Sequence, residues 1–132
     1  MREAYMVELQ VNVRYMVDDV DAAVDFYCSR LGFSLPSSAA PAFADVQRGA
    51  LRRLLSGETS SAGRAMPDGA KPQPGGWNRV QLVVEDLSAY VETLRNDGVP
   101  FQNETVTGPG GSQILVQDPS GNLIELFQPR AR

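Results

Sequence analysis

Residues 12–33 read NVRYMVDDVDAAVDFYCSRLGF, and residues 79–101 read RVQLVVEDLSAYVETLRNDGVPF. Each stretch runs from an alternating strand through an acidic residue into an amphipathic helix that stops at glycine. Placing Asp19 over Asp86 puts Asn12 over Arg79, an offset of 67 residues. Self-similarity at such a spacing indicates two copies of one supersecondary unit.

Working outward from the first copy, VELQVNVRYMV (7–17) alternates with period two and is rich in β-branched residues, so it reads as a strand. Val11, Val13, Tyr15 and Val17 share one face; Gln10, Asn12, Arg14 and Met16 share the other. Asp19 has the chemistry of an N-cap, since its side-chain oxygen can accept from a free backbone N–H. Val20, Ala23, Val24, Tyr27 and Leu31 form the apolar stripe of the helix, and Gly32 is the expected C′ residue. Weaker strand signals follow at 33–35, 42–47 and 50–55. The unit is therefore β-α-β-β-β.

The second copy repeats this order. Residues 78–84 form a strand, with Val80, Leu82 and Val84 opposite Arg79, Gln81 and Val83. Asp86 caps a helix that turns Leu87, Tyr90, Val91 and Leu94 inward and ends at Gly98. Strands are expected at 101–106, 112–117 and 123–128, separated by the turn sequences TGPGG and DPSGN. Residues 130–132 read as a loose tail. The expected organisation is a first module over 1–55, a Gly/Pro/Ser-rich linker over 56–76 and a second module over 77–132. Such a linker is either a mobile surface loop or a flap over a cavity.

Composition narrows the function classes. A chain of 132 residues forms one compact unit that buries about two-thirds of its unfolded surface. Its net charge of −4 argues against nucleic acid, which calls for a basic stripe. No apolar run reaches the ~18 residues of a membrane span, and the first ten residues lack the apolar core of a signal peptide. The cytoplasm is the expected compartment. Cys28 is the single cysteine, which excludes an intrachain disulfide. With no histidine in the chain to activate it, Cys28 reads as a packed residue rather than a nucleophile.

One face of each first strand is apolar and must meet its helix. The opposite faces carry Asn12, Arg14, Arg79 and Gln81. These polar groups are either solvated, as on many antiparallel sheets, or converge inside a cavity enclosed by two curled sheets.

VDDVDAAVDFYCSRLGF and DPSGNLIELFQP resemble the two most recognisable stretches of the vicinal oxygen chelate superfamily. That group includes glyoxalase I, extradiol dioxygenases, fosfomycin-inactivating enzymes and bleomycin-resistance binding proteins. The resemblance extends over nearly the whole chain. It implies an α+β fold of two βαβββ modules forming a half-open barrel, in a homodimer with cavities built from a module of each chain.

Metal-dependent relatives hold a divalent ion with His or Glu from the first and last strands of two modules. Carried over by position, those ligands fall on Asn12, Arg53, Arg79 and Glu125, with Arg53 reached by counting four residues from Gly49 as Glu125 lies four from Gly121. Arginine has no lone pair to donate, so this set implies neither metal nor other cofactor. An all-oxygen site at Glu125, Gln81 and Gln113 is the remaining metal option. Arg53, Arg79 and Glu125 are expected to face one another, either as a self-satisfied ionic cluster or as anchors for a ligand. Trp77 is the expected stacking wall at the end of the linker, and Phe127 shares the parity of Glu125.

The resemblance supports several functions. The first is a metal-independent protein that sequesters a largely apolar, neutral or anionic aromatic natural product, in the manner of antibiotic-resistance binding proteins. Its ligand-binding residues are Asn12, Arg14, Arg53, Trp77, Arg79, Gln81, Gln113, Glu125 and Phe127. The second is a metal-independent isomerase, cyclase or lyase, with Glu125 as base and Arg79 or Arg53 stabilising an anion. A metal-dependent enzyme and a purely structural dimer complete the set.

Overall fold

The computed structural model describes residues 11–131. Residues 7–10 of the expected first strand, Gln10 among them, and Arg132 of the expected tail lie outside the described residues. The chain folds as β1 (Asn12–Met16), α1 (Val20–Arg30), β2 (Ser34–Ala39), β3 (Phe43–Arg48), β4 (Leu51–Ser56), β5 (Val80–Val83), α2 (Leu87–Asn96), β6 (Val106–Gly108), β7 (Gly111–Gln117) and β8 (Leu123–Pro129). Two four-stranded sheets result, ordered β1-β4-β3-β2 and β5-β8-β7-β6. In each, the first strand pairs parallel with the last and the other contacts are antiparallel. The duplicated α+β unit read from the sequence is present.

Both helices begin as the acidic residues dictate. Asp19 accepts from Ala22 N at 3.0 Å, and Asp86 accepts from Ala89 N at 3.1 Å. Gly32 and Gly98 follow the C-caps with φ of 75° and 79°. The expected stripe of α1 buries Val20, Ala23, Tyr27 and Leu31, and Phe26 joins them. Val11 departs from its expected inward face: it precedes the β1 ladder and is 76 % exposed.

The helix-facing sides of the two sheets share one apolar core. Tyr15 stitches the modules across it. Its hydroxyl donates to Leu123 O at 2.7 Å and accepts from Val80 N at 3.2 Å. Tyr27 donates to Asp118 at 2.9 Å. Burial first, and then the Asp118 carboxylate, hold the Tyr27 phenol far above its ordinary pKa, so it stays a donor. Cys28 is half-buried, and burial followed by Asp25 pushes its thiol up, away from nucleophile chemistry.

The linker is tied to the body at both ends. Gly57 N donates to Ala42 O at 2.9 Å, and Gly75 N donates to Asn122 Oδ1 at 2.7 Å. A short 3₁₀ turn at Ser61–Gly63 is capped by Ser60, whose hydroxyl accepts from Gly63 N and donates to Gly57 O. A side chain at Gly63 would put its Cβ 2.5 Å from Gly57 O, so this turn requires glycine. Among the described residues, no helix is long and apolar enough to cross a membrane.

Candidate functional site

Strand parity separates a helix side from a trough side on each sheet. In the second sheet, register aligns Gln81, Glu125 and Leu115 in one row. Val83, Phe127, Gln113 and Val106 form the next. Ile124 and Leu126, between Glu125 and its neighbours, point into the core and are fully buried. The trough of this sheet therefore has a polar row beside a mainly apolar one.

Glu125 is the centre of the polar row. It is 7 % exposed. Its Oε1 accepts from Arg79 Nε at 3.2 Å and Arg79 Nη2 at 3.0 Å, while Oε2 accepts from Gln81 Nε2 at 2.6 Å. The third guanidinium nitrogen, Arg79 Nη1, donates to Trp77 O at 3.3 Å. Burial of this carboxylate is thus offset by donors on both oxygens. Three of the carboxylate's about four lone-pair positions are thereby taken, with one left on Oε2.

The structure brings five expected site residues onto this face: Arg79, Gln81, Gln113, Glu125 and Phe127. Trp77 stands at its edge, 68 % exposed. Asn12 and Arg14 lie on β1 of the other sheet, exposed on the trough side.

Arg53 does not meet Arg79 and Glu125. It points into the core, fully buried, with its guanidinium 3.5 Å over the Tyr15 ring and 5.5 Å from the Tyr27 ring. None of its nitrogens has a hydrogen-bond partner among the described residues. Pairing across the parallel strands explains the misplacement. Gln81 pairs with Glu125, and Arg14, its counterpart 67 residues earlier, pairs with Leu54. Likewise Val84 N donates to Phe127 O as Val17 N donates to Ser56 O. Leu54, not Arg53, is the equivalent of Glu125. Counting from glycine failed because β3 and β4 join directly after Arg48↔Leu51, whereas β7 and β8 join after Gln117↔Leu123 across a longer turn. Arg53 can therefore neither anchor a ligand in the trough nor stabilise an anion there.

The first sheet has its own ionic cluster, absent from the sequence reading. Asp45, 3 % exposed, accepts from Arg52 Nε and from Ser37 Oγ, each at 2.6 Å. Burial alone would raise the Asp45 carboxyl, but the Ser37 hydroxyl and the Arg52 guanidinium override it, and the group sits below its ordinary value. The signal for this cluster was the antiparallel register Gln47↔Arg52, which a weak strand pattern does not disclose.

With the register corrected, the four positions to which the resemblance assigns a metal are Asn12, Leu54, Arg79 and Glu125. They do not fit a divalent ion. Leucine offers no donor atom, arginine brings a positive charge, and the single carboxylate that remains is committed to Arg79 and Gln81 through three hydrogen bonds. The all-oxygen alternative is poor for the same reason: Gln81 turns its nitrogen, not its oxygen, toward Glu125. Among the described residues, no group of three or more His, Cys, Asp or Glu side chains could hold an ion.

Known proteins share this architecture. A lactoylglutathione lyase from Agrobacterium tumefaciens superposes with a TM-score of 0.69 at 19 % identity, covering 90 % of this chain and 92 % of its own. An antibiotic binding protein from Streptomyces gives 0.66 at 22 % identity, with 95 % and 100 % covered. A fosfomycin resistance protein from Listeria monocytogenes gives 0.71 at 15 % identity, with 95 % and 96 % covered. Comparison of the sequence with curated proteins finds no match. The sequence model of one family matches residues 10–126, most of the chain and both modules. The chain belongs to the glyoxalase/bleomycin resistance protein/dioxygenase superfamily.

Proposed function

We propose that the protein is a metal-independent binding protein that sequesters a largely apolar, neutral or anionic aromatic natural product. The observation that carries this reading is the residue set Asn12, Leu54, Arg79 and Glu125 at the metal positions. It removes the Lewis acid on which the family's lyase and dioxygenase chemistry depends. Glu125 serves as a buried strut for Arg79 and Gln81, which also argues against its use as the base of a metal-independent isomerase. The mainly apolar row Val83–Phe127–Gln113–Val106 supplies a wall for a flat ligand, and Val83 and Val106 are 56 % and 50 % exposed. The likeness to an antibiotic binding protein agrees with this use of the fold. In this proposal a homodimer closes each trough with a module of its partner, and the protein acts in the cytoplasm.

Two measurements test the reading together. Protein dialysed against Mn, Fe, Ni and Zn salts should retain far less than stoichiometric metal. An anthraquinone or naphthalene panel, read by Trp77 fluorescence and followed by chromatography of the recovered compound, should show saturable binding without conversion. Stoichiometric metal, or turnover of a bound compound, would overturn the proposal.

A further inference from the structure

The trough faces of the two sheets differ in what they have left to offer. In the second sheet Glu125 absorbs the donors of Arg79 and Gln81. In the first sheet the equivalent position is Leu54, which accepts nothing. Asp45, which pairs with Leu54 across the strands, is engaged by Ser37 and Arg52. The donors without an acceptor among the described residues include two on the trough face of this sheet. One is the Arg14 guanidinium, which forms no hydrogen bond or salt bridge with them. The other is the Ser56 hydroxyl, fully buried and unpartnered.

Both residues line one cavity. Its volume is about 450 Å³, and its wall includes Arg14, Phe43 and Ser56, with residues 59–62 of the linker over it. Register places Ser56 opposite both Met16 and Phe43, on the trough side with Arg14. Ser60, the other hydroxyl of known bonding here, is spent on Gly57 O and Gly63 N. A guanidinium, an orphan hydroxyl and an aromatic ring therefore face one space of small-molecule size. An unpaired buried hydroxyl is costly, and an acceptor that enters recovers that cost. The guanidinium requires that the acceptor be anionic or strongly polarised.

We propose that this cavity of the first module is an oxyanion subsite that takes the carboxylate, phenolate or enolate end of an aromatic ligand, with Arg14 and Ser56 as its donors and Phe43 as its ring contact. The inference rests on the binding reading above and adds to it the end of the ligand that is recognised and the module that recognises it. It also moves the main anchoring role from Arg79, three of whose five N–H groups are engaged by Glu125 and Trp77 O, to Arg14.

The test is calorimetric titration of the full chain with 2-naphthoate and with its neutral isostere 2-naphthamide, at pH 7.5 and fixed ionic strength. The acid should bind about tenfold tighter or more, the usual worth of a charge-assisted hydrogen bond. Arg14→Gln should bring the acid down to the level of the amide and leave the amide nearly unchanged. Ser56→Ala should weaken both a few-fold. Arg130→Gln serves as the control for net charge and should keep the preference. Arg14 is exposed, so its replacement leaves the core intact. Equal affinity of acid and amide, or an acid preference that survives Arg14→Gln, would overturn the subsite while the binding reading stands. Failure of both probes to bind would overturn the binding reading and the subsite with it.

Discussion

Arg53→Met should make the protein more stable. The guanidinium is fully buried, and its Nε, Nη1 and Nη2 have no acceptor among the described residues. A buried charge without a hydrogen-bond partner costs several kcal/mol even after the protein relaxes. The compensation is aromatic. Face contact with Tyr15 at 3.5 Å is worth about 2 kcal/mol when desolvated, and Tyr27 at 5.5 Å adds less. Asp118 lies beyond Tyr27, but it does not need the arginine. Its oxygens already accept from the Tyr27 hydroxyl, Ser120 N, Asn122 N and Asn122 Nδ2. Removing Arg53 therefore orphans no acceptor, and methionine refills most of the volume while keeping sulfur–aromatic contact. The balance favours Met by about 1–2 kcal/mol. For a chain of this length that corresponds to a Tm roughly 3–8 °C higher. Urea unfolding should show a higher midpoint at unchanged slope. Arg53→Lys should move the other way, because the ammonium is more strongly hydrated and cannot stack as a plane. A loss of more than ~1 kcal/mol in Arg53→Met would refute the reasoning, since it would mean the guanidinium is satisfied in solution.

Tyr15→Phe removes a hydroxyl that donates to Leu123 O and accepts from Val80 N, so it should lower stability by about 1–3 kcal/mol, read from the urea midpoint. An unchanged midpoint would show that the modules are not joined through this group. Asp45 sets a pH dependence. Its folded value lies below its unfolded one, so its contribution is complete above the unfolded value near pH 4 and is lost as pH falls through the lower folded value. Ser37→Ala should flatten the acid limb of the stability–pH curve below about pH 4. The flattening should be modest, because Arg52 is 39 % exposed and its share is screened. An acid limb identical to wild type would remove Asp45 from the account.

Legibility in this sequence followed the strength of local signals. Both helices could be read because a capping aspartate, an apolar stripe and a terminal glycine agree at Asp19–Gly32 and Asp86–Gly98. The edge strands could not. β2 extends through Ser37, Ser38 and Ala39, which are exposed and carry no alternation; their partner β3 makes them a strand. The strand expected over 101–106 is interrupted. Phe101 bridges to Val116, but at Asn103 the side chain, not the backbone, accepts from Leu115 N, and the ladder resumes only at Val106. A side-chain amide that substitutes for a backbone carbonyl leaves no periodic trace.

The site shows the same limit, with larger consequences. Alternation along β8 is unambiguous, since core positions such as Ile124 and the trough residue Glu125 differ in polarity. LRRLLS in β4 has arginine on both faces, so its parity is set only by pairing with β1. A one-residue shift exchanges core and trough for every side chain. Here it exchanges Arg53 for Leu54, and with it a trough crowded by guanidinium groups for one whose first sheet holds a leucine beside an arginine that has no acceptor among the described residues. That exchange reshapes the chemistry. Two arginines facing Glu125 would form a closed ionic cluster with little to offer a ligand. Leu54 instead leaves Arg14 without the carboxylate that its counterpart Gln81 has, and a guanidinium with no acceptor among the described residues is what an anionic ligand would complete.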